Sequence, residues 1–152
     1  MPAPATNTET SIGAQLGSIV LGGTFTSRLN QLLREEKGYT YGARASVSAW
    51  STHGTLTAST AVQQEVSAPA LKELLGELER YQGGVDEAEL TKARSAKQTR
   101  TIEAMGSRSD IAAIFAGLAA HGRPTTALIE SLADARASTV SDIQAGIQAS
   151  QL

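Results

Sequence analysis

Leu21-Gly-Gly-Thr-Phe-Thr-Ser-Arg-Leu-Asn-Gln-Leu-Leu-Arg-Glu-Glu-Lys-Gly-Tyr-Thr-Tyr-Gly42 is the stretch from which the fold is read. Gly22-Gly23 ends one helix. Ser27 is placed to cap a short helix over residues 28–37, whose Leu29, Leu32 and Leu33 share a face. Gly38 stops that helix and releases a strand beginning Tyr39-Thr-Tyr41. Arg34 then lies in the last turns of the helix and Tyr41 near the start of the strand, seven positions on. A helix-to-strand junction points two such side chains the same way more readily than a continuous helix or strand. Both are donors: a fixed guanidinium fork and a phenol hydroxyl.

Outward from that stretch the chain is patterned throughout. Residues 1–7, rich in Pro, Ala and Thr, read as a disordered arm, and residues 8–152 as a single domain. A helix is predicted over 8–21, with Ile12, Leu16, Ile19 and Val20 as its stripe. Gly13 and Gly17 stand one turn apart on it, a spacing that suits close packing against a neighbour or contact with a ligand. Residues 39–50 alternate, 51–54 form a turn, and 55–62 return, which is a hairpin signal over 39–62.

Everything after the hairpin reads as helix. Leu71, Leu74, Leu75 and Leu78 follow Ser67 at helical spacing and end at Gly83-Gly84. Asp86 and Glu89 have the spacing of a capping box. Ile111, Ile114, Phe115 and Leu118 mark the next helix, closed by Gly122 and Pro124; Leu128, Ile129 and Leu132 mark another. Thr139 is placed to cap the last, which carries Val140, Ile143 and Ile147. The expected class is therefore α+β: an antiparallel hairpin packed against several helices. A lone two-stranded hairpin is marginal in water. At least one of its edges is expected to pair with something else: a second copy, a missing segment or an added peptide strand.

Composition narrows the functions. A chain of 152 residues with 41% apolar content can bury a core. Aromatics are only 4%, and the reliance on Ala and Leu favours helices. A net charge of -2 gives no electrostatic case for nucleic acid. Cysteine is absent, which removes disulfides, thiolate metal sites and thiol catalysis. No run is long and apolar enough for a membrane span, and the N-terminus lacks the basic and apolar regions of a signal peptide.

The side chains that could carry chemistry are few. His53 falls in the hairpin loop and His121 at a helix end, with no metal-ligand spacing between them or to a carboxylate; surface or capping roles are expected. Glu35 and Glu36 are adjacent, so on a helix they point apart. Lys92, Arg94, Lys97 and Arg100 form a basic cluster on one helix, expected to be a solvated face. On residue types alone Arg34 would pair with a nearby carboxylate and Tyr41 would sit in the core.

The run from Leu21 to Gly42 closely resembles the signature of the pitrilysin-like (M16) zinc metallopeptidases, in their C-terminal, non-zinc half. The likeness continues more loosely to Gln151 as a hairpin and a helical series. The resemblance implies an M16-type C-terminal domain with a larger sheet, of which this sequence lacks the first and last strands. It further implies that Arg34 and Tyr41 bind the substrate peptide and stabilise its reacting carbonyl in trans. They would act across a cavity from a zinc held by another domain or subunit. The His-x-x-Glu-His zinc motif is absent, so neither cofactor binding nor peptidase activity is expected of this chain alone. Expected partners are the zinc-bearing M16 domain, a peptide, and a second copy through sheet edges. A periplasmic location is implied by the family. The other reading is a non-enzymatic scaffold or peptide-binding module of the same fold.

Overall fold

The computed structural model describes residues 1–5, 10–50 and 52–150. Its centre is α1, Ser11–Gly22, in which Leu16, Ile19, Val20 and Leu21 are all buried. Small residues let this helix be approached from several sides. It packs on the strand β2 (Ala43–Ala49), on α4 (Glu87–Glu103) and on α7 (Val140–Gln148). At the α1–α7 crossing a side chain on Gly13 would overlap the Asp142 carbonyl, and one on Gly146 would overlap the backbone of Gly13 and Ala14. Gly17 faces the Tyr81 hydroxyl and Ile147. Close packing, not a ligand, thus accounts for the glycine spacing in α1. Residues 8 and 9 of the expected helix lie outside the described residues.

Three antiparallel strands run in the order β1 (Pro2–Ala3), β3 (Gly54–Thr60), β2. The β2–β3 register pairs Ala43 with Thr60 and Ala49 with Gly54. Period-two alternation does what the sequence suggested: Ala43, Ala45 and Leu56 are buried, while Arg44, Ser46, Thr57 and Ser59 face out. Two expectations need correction. Residues 1–7 are not wholly a loose arm, because Pro2 pairs with Thr55, Ala3 pairs with Gly54, and the Leu56 N–H donates to the Met1 carbonyl at 2.8 Å. Proline is tolerated there because it sits on the edge strand. Residues 6 and 7 are outside the description. Nor does the hairpin begin at Tyr39; regular pairing starts only at Ala43.

Helices α3 (Ser67–Gln82), α5 (Arg108–Ala120) and α6 (Ala127–Ala137) complete the chain with α4 and α7. Of the three sequence-predicted caps two form in full; Ser27 stands at the N-cap position of its helix, but its hydroxyl donates back to the Thr24 carbonyl at 2.7 Å and caps nothing. Asp86 Oδ1 accepts from the Glu89 N–H at 2.8 Å while Glu89 Oε2 accepts from the Asp86 N–H at 3.0 Å. Thr139 and Asp142 repeat the arrangement at α7. The leucine stripe of α3 is only half right. Leu78 is buried and Leu74 packs against the core, but Leu71 is 58% exposed and Leu75 46%. The inward face instead runs through Ala70, Glu77, Leu78 and Tyr81. No described residue of α5 is buried.

Candidate functional site

The helix after Ser27 starts as α2, Arg28–Asn30, and widens into a π turn over Gln31–Glu36. One extra residue in a helical turn rotates everything beyond it, which is why π turns re-aim side chains. Lys37 N–H bonds to the Leu32 carbonyl at 3.0 Å, the i to i+5 spacing of that turn. Gly38 adopts φ 64°, a left-handed conformation that suits glycine. Tyr39 N–H then closes back on the Leu33 carbonyl at 2.9 Å. Residues 39–42 leave as an irregular segment.

Two polar side chains fix that segment. Asn30, only 4% exposed, treats Ala43 as a strand neighbour would. Its Nδ2 donates to the Ala43 carbonyl at 2.9 Å and its Oδ1 accepts from the Ala43 N–H at 2.9 Å. Nδ2 also donates to the Thr24 carbonyl at 2.9 Å, tying in the loop before the helix. Thr40 Oγ1 donates to the Ala61 carbonyl at 2.7 Å and accepts from the Gly42 N–H at 3.1 Å and the Thr60 hydroxyl at 2.9 Å. Between these anchors Tyr41 stands out from the surface, 99% exposed.

Arg34 and Tyr41 line one open groove of about 590 Å³, together with Glu35, Tyr39, Val62 and Val66. The guanidinium of Arg34 is held in two ways. Its Nη1 donates to Glu35 Oε1 at 2.5 Å, and its Cζ lies 3.7 Å from the centre of the Phe25 ring. Phe25 is itself 65% exposed and, with Tyr41 and Arg44, lines a second groove of about 500 Å³. Tyr41 therefore divides two grooves. The carboxylate pairing expected of Arg34 is present, but Tyr41 is not a core residue.

Ion pairs brace the helix that carries Arg34. Lys37 Nζ meets Glu73 at 2.9 Å. Arg28 makes a two-pronged pair with Glu89 at 2.6 Å for both bonds and also donates to the Gly84 carbonyl at 2.8 Å. The bond from Arg28, reinforced by the Asp86 N–H, holds the Glu89 carboxyl below its ordinary pKa, and the same pair raises that of Arg28. One carboxylate thus serves as both a helix cap and a cross-element clamp.

Sequence reasoning missed Asn30, Thr40 and Phe25. A signal existed for Asn30, since asparagine is a poor helix-interior residue and there stands among three leucines. The other candidates stay apart. His53 stacks on Trp50 in the hairpin turn, with ring centres 4.9 Å apart, and His121 Nδ1 lies 2.8 Å from the Gly117 carbonyl at the end of α5. Among the described residues no three or more of His, Asp and Glu gather as metal ligands, so the residues present do not fit zinc. The basic cluster of α4 is not a uniformly solvated face. Lys92 is exposed, but Lys97 is half-buried on Gln15 and Arg94 reaches the Ser138 carbonyl.

The model of the peptidase M16 inactive domain matches residues 1–97. The chain belongs to that family. Solved structures share the fold. A peptidase M16 inactive domain from Pseudomonas fluorescens is 23% identical with TM-score 0.82, covering 95% of this chain and 35% of that one. A protease from Helicobacter pylori is 21% identical with TM-score 0.81, covering 97% and 36%. The periplasmic protease PqqL from Escherichia coli is 15% identical with TM-score 0.75, covering 96% and 16%. This chain therefore spans about a third of the length of the first two. No curated protein matches it. No described helix is long and apolar enough to cross a membrane.

Proposed function

We propose that residues 8–152 act as the C-terminal half of an M16-type zinc metallopeptidase. In this reading they complete a peptide-binding chamber whose zinc sits on another domain or subunit, and Arg34 and Tyr41 contact the peptide bound there. The observation that carries it is the shared groove. Two donors, brought in by a π turn and by an irregular segment pinned at both ends, line one open surface. Peptide hydrolysis builds negative charge on the carbonyl oxygen, and a fixed phenol or guanidinium donor stabilises that charge most once water is excluded. Neither group activates water, so that step belongs to the zinc-bearing partner. A periplasmic location goes with this reading, since one structural relative is a periplasmic protease.

Steady-state kinetics with the zinc-bearing companion present tests the proposal. Tyr41→Phe should lower kcat by roughly tenfold to a thousandfold with melting unchanged, as expected for a lost transition-state donor. Arg34→Ala should raise KM as well. Full activity in both variants would assign the groove to a scaffold or peptide-binding role without chemistry.

A further inference from the structure

A further cavity, of about 340 Å³, lies between α1, β2, α4 and the α5–α6 region, on residues the two grooves above do not use. Ile19, Val47, Ile114 and Leu128 give it apolar walls, while Lys97 and Arg100 contribute the charge. No Asp or Glu is among its described lining residues. Lys97 Nζ donates to Gln15 Oε1 at 3.0 Å, a neutral acceptor, and makes no ion pair among the described residues. Nor does Arg100. The contrast with Arg28 is informative, because that half-buried cation has a carboxylate on two of its nitrogens.

Withdrawing an ammonium from water without a counter-charge is costly, and buried charges are ordinarily paired. Burial alone lowers the Lys97 pKa, with no compensating carboxylate. An ammonium offers three donors, of which Gln15 takes one. The guanidinium of Arg100 offers five more at the cavity's edge.

We propose that this cavity binds a carboxylate bearing an apolar tail, its head group paired with Lys97 and Arg100 and its chain lying against Ile19, Val47, Ile114 and Leu128. The charge of the site selects an anion and its walls select against a hydrated inorganic one. The proposal is independent of the peptidase reading, because it uses neither Arg34 nor Tyr41.

Octanoate is a suitable probe, with 1-octanol as the chain-matched neutral control, titrated into the full isotope-labelled chain and followed by heteronuclear NMR. Octanoate should saturate shifts of Gln15, Ser18 and Lys97, and octanol should bind at least about tenfold more weakly, the value of one charge-assisted hydrogen bond. Lys97→Met should lose a similar factor and Lys97→Arg should retain binding. Arg100→Gln, at an exposed position, should weaken octanoate in the same direction. Equal affinity for octanol and octanoate would overturn the proposal. So would unchanged octanoate binding by folded Lys97→Met, or by Arg100→Gln should the lysine variant not fold.

Discussion

Asn30 shows how one side chain can set a site it does not enter. Its amide takes the place of a strand neighbour for Ala43, so β2 starts there and not at Tyr39. Replacing it by leucine keeps the volume but leaves the N–H and the carbonyl of buried Ala43 without the partners that Asn30 supplies, while the Thr24 carbonyl keeps its bonds from Ser27. Asn30→Leu should cost about 2–4 kcal/mol in denaturant unfolding, as several lost bonds imply; a midpoint equal to wild type would refute this. Glu89 gives a pH prediction. Its folded pKa is lowered, so its stabilisation is complete above the unfolded carboxylate pKa of about 4.3 and is lost as pH falls through the folded value. Glu89→Gln should therefore unfold more easily than wild type at pH 7, with the gap closing in the acid range. A constant gap in melts at both pH values would show that the pair does not titrate with folding. Arg34 and Tyr41 stand as candidates through the family resemblance of the local run that holds them, and the fold sets both on one groove. Asn30 was not legible in the sequence, because its partner lies thirteen residues away and only the fold supplies it.

Most elements whose signals are local match the sequence reading; the Ser27 cap does not, because its hydroxyl turns back to the Thr24 carbonyl. The Asp86–Glu89 capping box and the Thr139 cap are short-range hydrogen-bond patterns and form as expected, Thr139 gaining a reciprocal bond with Asp142 besides. The β2–β3 alternation is likewise a local period. What failed depended on three-dimensional context. Leu71 and Leu75 share helical spacing with Leu78, yet α3 turns Glu77 and Tyr81 inward and leaves those two leucines outside. The π turn has no sequence period of its own, and Pro2–Ala3 is too short to read as a strand. Two predictions belong to this scale. Gly146→Ala forces apart the α1–α7 crossing, since its new methyl would meet the backbone of Gly13 and Ala14. Overpacking of this kind costs about 1–3 kcal/mol, measurable by thermal melting, and an unshifted melt would mean that the helices separate freely. Helix α5, with no buried described residue, should exchange its amide hydrogens well before α1 and α7 do. Protection in α5 equal to that of α1 would show that it is covered in solution.

At the scale of the whole molecule, the proposed reading puts two donors on this chain and the reactive centre on another domain or subunit. Arg34 and Tyr41 line an open groove, and in water their pull on a carbonyl oxygen is weak because solvent competes and screens. Hydrolysis also needs an activated water, which a metal or a general base must supply. The two histidines sit at opposite kinds of site, one stacked on Trp50 in a hairpin turn and one closing α5, and no metal-ligand group assembles among the described residues. The expected outcome is that the purified chain carries no stoichiometric zinc and cleaves no peptide. Elemental analysis after dialysis against zinc, with a fluorogenic peptide assay on the same sample, checks both. Activity should emerge only when a zinc-bearing M16 domain is added, and the increment should depend on Tyr41. One tightly held zinc per chain, or hydrolysis by the chain alone that co-purifies with it, would place the reactive centre here and overturn the division of labour argued from the groove.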